Sequence, residues 1–412
     1  MNKFKKIILN NGIPLYLCND PSMKNYFVSY NVLYGFSGLW FNFNGRKVIP
    51  GYAHYLEHLL GEHSKYGNLY DNLSKKLYIA NAYTSYDVTS YHFKGREDVD
   101  KSIEELITAV DEPIFDQKDV NETRHAIEEE TASYCDFPNV LVLNLVENNL
   151  YSGFDKFDET LSPIGNRKTT KLITLDDLYA CYDAFYTDNN KFLVIAGNVD
   201  EKKLVDNLNE IFAKRKPHIY NLELPDIDFS GIRKQEDVIY KKVNTPVIAL
   251  GVKLKKPDGL TMKQFKCCLD IIERVLMFSK EYNDLNKNGV FNATQYFNTT
   301  TVSDYINYLQ NFTTNKKDEC SKRVLELLSR KDISNKEFEL AKRCIIASTI
   351  RSMDAKYEHL EYFPQCVYYS EDYTDLDFYK SIDYDEFLSM IEPLDFSQYT
   401  VGEVKRLARK KS

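Results

Sequence analysis

Three side chains in the stretch GYAHYLEHLLGEH, namely His54, Glu57 and His58, have the types and spacing to do chemistry together. At about 100° of turn per residue, the three fall within one arc of about 100° on a helix. Two imidazoles four residues apart can therefore reach one point, with a carboxylate beside it. A helix presents two nitrogen ligands to a zinc ion in this way, plus a base for a water molecule. The order H-x-x-E-H reverses the commoner H-E-x-x-H and is the inverzincin pattern. The same five residues also fit a solvated helix face, so a third ligand has to decide.

The stretch NETRHAIEEET supplies the candidates. Glu122 and Glu129 are seven residues apart, two helical turns, and so share a face. A charge run like this is usually solvent-facing, but beside two histidines it gains another meaning, because a carboxylate oxygen is a normal third zinc ligand. His63 lies on the wrong arc to join the same metal, and His125 is not expected to join it either.

Elements must hold these groups in place. KFKKIIL and IPLYLCN read as strands about an Asn-Asn-Gly turn, and NYFVSYNVLYGF as another strand. The histidine stretch has helical spacing of Tyr55, Leu56, Leu59 and Leu60. KKLYIANAYTSYDVTSYHFKG alternates as two strands meeting near Ser85, and two amphipathic helices follow. The pattern then runs helix, buried strand (NKFLVIAGNVD) and helix to about residue 214. Residues 215–234 have two prolines, a glycine and no period, and read as a linker. Beyond it the order partly repeats. The expected architecture is α+β, with a catalytic half (1–214) and a related, metal-free half (235–412). Each half is expected to be an antiparallel-rich sheet packed with helices on one side.

Bulk properties narrow the class. The 412 residues are 43 % hydrophobic, with 31 Tyr and 24 Phe, ample for two cores. A net charge of −8 with no long basic block argues against a nucleic-acid groove. No window is apolar for long enough to span a membrane. The eight cysteines show no paired metal-knuckle spacing and read as reduced, buried thiols, which points to the cytoplasm. Nothing resembles a phosphate-cradling loop or a nucleophile elbow.

HYLEH followed by ETRHAIEE, with NAYTSYDVTSYHF between them and FYTDNNKFLVIAGNVD after them, resembles the pitrilysin-like zinc metallopeptidases. This is the family of insulysin and the mitochondrial processing peptidase, and the likeness covers most of residues 1–215, with a somewhat short spacer to the distal glutamate. It implies one Zn²⁺ per chain, bound by His54, His58 and Glu129, with Glu128 and Glu130 as rivals if the helix phase slips. It makes Glu57 the base, Glu122 an orienting or proton-shuttling carboxylate, and Asn81 and Ala82 an edge strand that holds substrate extended. The second half is similar to the family's metal-free domain. There Asn286 and Phe291 stand where relatives carry an Arg and a Tyr that contact substrate. The resemblance therefore implies a zinc endopeptidase for unfolded peptides, as the zinc-bearing subunit of a pair whose homologous partner supplies the Arg and Tyr. A homodimer is the alternative partnership, and a weakly active binding or scaffold subunit the alternative function.

Overall fold

The computed structural model describes residues 4–35, 42, 43, 46, 47, 49, 51–85, 87–96, 99–152, 164–220, 229–292, 297–302, 304–354, 360, 364 and 376–407. The chain forms two compact units. One comprises Met1–Thr131, Ser162–Asp226 and Met353–Tyr373; the other comprises Ala132–Leu161, Ile227–Ser352 and Thr374–Ser412. The first carries β1 (Lys5–Ile8), β2 (Pro14–Asn19), β3 (Tyr26–Val32), the short ribbon β4 (Asn42–Phe43) and β5 (Arg46–Lys47), α1 (Tyr52–Glu62), α2 (Leu69–Lys75), β6 (Ile79–Thr84), β7 (Thr89–Gly95), α3 (Val99–Asp111) and α4 (Gln117–Asp136). After α5 (Pro138–Asn149), which belongs to the second unit, the first resumes with α6 (Arg167–Leu172), α7 (Leu175–Phe185), β8 (Lys191–Gly197) and α8 (Glu201–Ala213). The second continues with β9 (Glu236–Lys241), β10 (Val247–Lys255), α9 (Met262–Phe278), α10 (Lys280–Lys287), β11 (Phe297–Val302), β12 (Tyr305–Thr313), α11 (Lys317–Leu328), α12 (Asn335–Asp354), α13 (Leu376–Ser381), α14 (Tyr384–Ile391) and β13 (Tyr399–Arg406).

The two sheets share a plan. Their orders are β1-β2-β8-β3-β7-β6 and β11-β12-β10-β13-β9. Set aside β1, and each unit places its first strand parallel to its last (β2 with β8, β9 with β13). Every other pairing is antiparallel, and the third strand, β6 or β11, lies at an edge. The expected α+β halves, rich in antiparallel pairs, are thus related strand by strand.

In the first unit, alternation sends Val28, Tyr30, Val32, Tyr91, Phe93, Leu193 and Ile195 into one core, where they meet Tyr55, Leu56, Leu59 and Leu60 of α1. All four α1 side chains are fully buried, and each contributes about 1.5–3 kcal/mol by leaving water. A charged knot ties β8 to α3 in the same unit: Lys191 pairs with Asp111 at 2.6 Å, both buried, and Arg215 joins Asp111 and Asp188.

The second unit packs α9, α11 and α14 against Ile248, Leu250, Val252 and Leu254. To that one-sided arrangement it adds α5 on the opposite face, and here the chain departs from a single boundary at 215–234. Ala132–Leu161 counts with the second unit, and residues 221–228 of the expected linker lie outside the described residues. The cause is local. Gly251 and Gly402 leave room for the Val146 side chain, and a Cβ on Gly402 would sit 2.8 Å from Val146 Cγ1. Lys253 Nζ donates to the carbonyls of Leu150, Phe229 and Gly231, Tyr151 donates to Asn307, and Thr300 to Glu147. Nothing local to α5 says which sheet has glycines to receive it.

Gly402→Ala is expected to destabilise the protein by about 1–3 kcal/mol through overpacking at Val146. Urea denaturation followed by circular dichroism measures this, and adding Val146→Ala should restore part of the loss.

Candidate metal centre

Helix α1 starts at Gly51, whose φ of 102° suits glycine, and where a Cβ would crowd Gly165 Cα at 3.2 Å and the Ile164 carbonyl at 3.3 Å. The helix is docked on α4 at both ends. The Tyr55 hydroxyl donates to the Val120 carbonyl, and His63 Nδ1 lies 3.2 Å from Asp119 Oδ1. Arg124 of α4 donates in turn to the carbonyls of Thr170 and Ile173. At Gly61, the ring of Tyr70 from α2 lies where a side chain would be.

This docking brings three donor atoms together. His54 Nε2 and His58 Nε2 are 3.3 Å apart, and Glu130 Oε2 lies 3.5 Å from the first and 3.4 Å from the second. Ligands about 2.05 Å from a tetrahedral zinc are separated by about 3.3 Å, so these edges match one face of such a polyhedron. Glu57 completes the group: its carboxylate and the two imidazoles lie within 4.8 Å of one another. His54 and Glu57 are buried, and His58 is half-buried. Thr84, at the end of β6, donates to Glu57 Oε2 at 2.6 Å. Its neighbour Thr89 commits its own proton to the Tyr34 carbonyl at 2.8 Å, which leaves Thr84 as the donor to Glu57.

The carboxylate that meets the histidines is Glu130, one of the two rivals, and not Glu129. Helix α4 buries Val120, Thr123, Ile127 and Thr131, and Glu130 borders that stripe. Glu129 is exposed one position out of phase. Glu122 shares its outer face, exposed and 3.6 Å from Lys118. Seven residues before Glu130 stands Thr123, buried, its Oγ1 3.5 Å from His63 Nε2. Glu128 is half-buried and does not join the cluster. The stripe Val120-Thr123-Ile127 was the sequence signal for the inner face. Spacing from Glu122 pointed to the outer one.

Asn81 and Ala82 lie on β6, which pairs with β7 on one side and forms the sheet's edge on the other. Asn81 is exposed, whereas Ala82 packs toward the core. In the second unit, Phe291 is fully buried between Tyr282 and Phe312, and Asn286 is half-buried. Among the described residues, no second group of metal-ligating side chains stands apart from the centre around His54, Glu57 and His58. Burial pushes the thiols of Cys181, Cys268 and Cys320 up to about 12, which leaves them poor nucleophiles at neutral pH.

Without metal, burial works against charge on His58, but Glu130 and Glu62 outweigh it and push the imidazole up to about 10. Hydrogen bonds from His54 and His58 hold the Glu130 carboxyl well below the usual range.

Comparison with known proteins gives a consistent picture. The family model described as "Insulinase (Peptidase family M16)" matches residues 43–164, and "Peptidase M16 inactive domain" matches residues 172–344. The chain is 26 % identical over 363 residues to the uncharacterized zinc protease YmfH of Bacillus subtilis, covering 84 % of this chain and 83 % of that one. It also resembles a putative M16-like peptidase from Alicyclobacillus acidocaldarius (TM-score 0.80, 19 % identity, 98 % and 99 % of the two chains). Pitrilysin has the same fold (TM-score 0.70, 17 % identity), with 98 % of this chain matching 45 % of that one. No helix among the described residues is long and apolar enough to cross a membrane.

Glu130→Gln is expected to weaken zinc binding by at least about tenfold, and Glu129→Gln to leave it unchanged, in competition with a chromophoric chelator. Because His58 must lose its proton to bind zinc, affinity should rise about tenfold per pH unit from pH 7 to 9, with about one proton released per zinc. Calorimetry in buffers of different ionisation enthalpy measures the release.

Proposed function

The chain belongs to the insulinase family of peptidases, and from that premise we propose that it is a zinc-dependent endopeptidase acting on extended peptides. The observation that carries this reading is the triangle of His54 Nε2, His58 Nε2 and Glu130 Oε2 with Glu57 beside it. His54, His58 and Glu130 hold one Zn²⁺, which when bound supplies Lewis acidity to a peptide carbonyl and makes water easier to deprotonate. Glu57 takes the proton from the attacking water and delivers it to the leaving amine. The Thr84 hydroxyl occupies one Glu57 oxygen and leaves the other for this exchange. Hydrolysis adds water across the C–N bond and needs no further reactant.

The edge of β6 gives the substrate its place. A peptide that adds to this strand uses main-chain hydrogen bonds, which tolerate many side chains and demand an unfolded segment. Thr84 ends the same strand, so a peptide lying along Asn81 and Ala82 runs directly to Glu57.

The proposal extends to a partner. Phe291 is locked in the core of its own unit and has no hydroxyl, and Asn286 carries no charge. A lost oxyanion donor costs about 2.7–4 kcal/mol in well-studied hydrolases. A homologous subunit supplying Arg and Tyr restores that stabilisation; a second copy of this chain is the alternative.

Glu57→Gln should keep its zinc and lose peptide cleavage, and a chelator should abolish cleavage by the unaltered chain. Mass spectrometry of a peptide library reads both, and equal cleavage by the variant sinks the reading. Thr84→Val should lower kcat by about 10–100-fold with KM little changed, and Thr84→Ser should restore it. The purified chain alone should cleave far more slowly than a mixture with a homologue that carries the Arg and Tyr; equal rates would remove the partner from the proposal.

A further inference from the structure

We propose that Glu62 is a positioning residue of the metal centre, accepting the Nδ1–H of His58 and so fixing which imidazole nitrogen faces the ion. The inference rests on the zinc reading above and concerns a residue to which the sequence pattern gives no role. Glu62 Oε1 lies 3.0 Å from His58 Nδ1. Residues 54, 58 and 62 follow one another at intervals of four on α1, each turned about 40° from the last. One face of one helix thus carries ligand, ligand and carboxylate in succession.

The direction of the contact is fixed by chemistry. An ionised carboxylate can only accept, so Nδ1 keeps its proton, and the proton that leaves on metal binding is the one on Nε2, whose lone pair then faces the point shared with His54 and Glu130. Glu62 cannot itself be the third ligand through this contact, because it reaches the nitrogen that faces away from that point. Among the described residues its only ion-pair partner is His58; no Lys or Arg competes for it.

The two ligand histidines differ in what holds them. The His54 side chain is 5 % exposed, and its Nδ1 is buried without a hydrogen-bond partner among the described residues, so on that side of the ring close packing takes the place of a tether. The His58 side chain is 22 % exposed and has less packing around it. A ring with more freedom loses more entropy on binding a metal, and the Glu62 tether removes part of that freedom beforehand. Carboxylates that orient ligand histidines typically change metal affinity by about 10–100-fold.

The test compares Glu62→Gln with Glu62→Leu. Both remove the negative charge, so both ease the proton from His58 alike, but only the amide oxygen of Gln can still accept from Nδ1. Zinc affinity is measured by chelator competition at pH 7.5, and the visible spectrum of the Co²⁺-loaded proteins reports ligand geometry. The proposal expects the Leu variant to bind zinc at least tenfold more weakly than the Gln variant, with a Co²⁺ spectrum altered in the Leu variant alone. Equal affinities and equal spectra overturn it. A purely structural role would lower the melting temperature of the chelated Leu variant while leaving the two affinities equal, which overturns it as well. Should the Leu variant fail to fold, Glu62→Ala takes its place. Failure of the unaltered chain to bind zinc would instead defeat the zinc reading itself.

Discussion

Everything at the centre depends on the seating of α1 against α4. The two imidazoles come from consecutive turns of one helix, so their spacing is set by covalent geometry. The third donor comes from a helix some 70 residues later and has to be delivered by packing. A rotation of α4 by one residue swings Glu130 away and presents Glu129, which changes the donor set without altering the composition of the helix. The Tyr55 hydroxyl on the Val120 carbonyl, the His63–Asp119 pair and the apolar stripe of Val120 and Ile127 fix that rotation. Removing one of these contacts costs about 1–3 kcal/mol, a sizeable fraction of ordinary domain stability. The centre is therefore as precise as an interhelical contact can be, and it is built within a single unit.

The two units share a strand plan, yet among the described residues only the first bears the group. In the second unit α9 follows β10 as α1 follows β3, yet α9 sends Phe265, Cys267, Cys268, Ile271 and Ile272 inward. These residues bury apolar surface, where α1 spends part of its inner face on His54 and Glu57. One copy of the plan maximises packing. The other gives up packing area to place polar groups beside an open strand edge, and it offsets the burial of Glu57 with the Thr84 hydrogen bond.

The sequence was informative where chemistry follows from local spacing, and weak where it depends on phase or on a distant surface. His54, Glu57 and His58 were legible because their geometry is intrinsic to any helix. The strand pairs were legible from alternation, as at Tyr26–Val32 and Thr89–Gly95, where Val28, Tyr30, Val32, Tyr91 and Phe93 enter the core shared with α1 although the residues between them are largely buried too. Glu129 was preferred with Glu128 and Glu130 as rivals, because three consecutive glutamates are indistinguishable until the buried face is fixed by Val120, Thr123 and Ile127. The place of α5 was not legible either, since its partners are two glycines more than a hundred residues later. Thr84 and Glu62 escaped for a related reason. A hydroxyl and a carboxylate are common surface groups, and only the distance to a functional atom gives them meaning.

The electrostatics of the five acidic and imidazole groups suit the dication proposed for the site. Glu57, Glu62 and Glu130 bring three negative charges near two histidines. One proton on His58 offsets one of them, which is the origin of its high pKa. A divalent ion in place of that proton adds one further positive charge at the same point and is shared by three donors instead of two. The gain is largest because His54 and Glu57 are buried, where water screens the attraction weakly. A monovalent ion would add nothing that the proton does not already supply. On the proposed zinc reading, the residues that raise the basicity of His58 are thus the ones that favour an ion of charge two, and the same proton would compete with it as the pH falls.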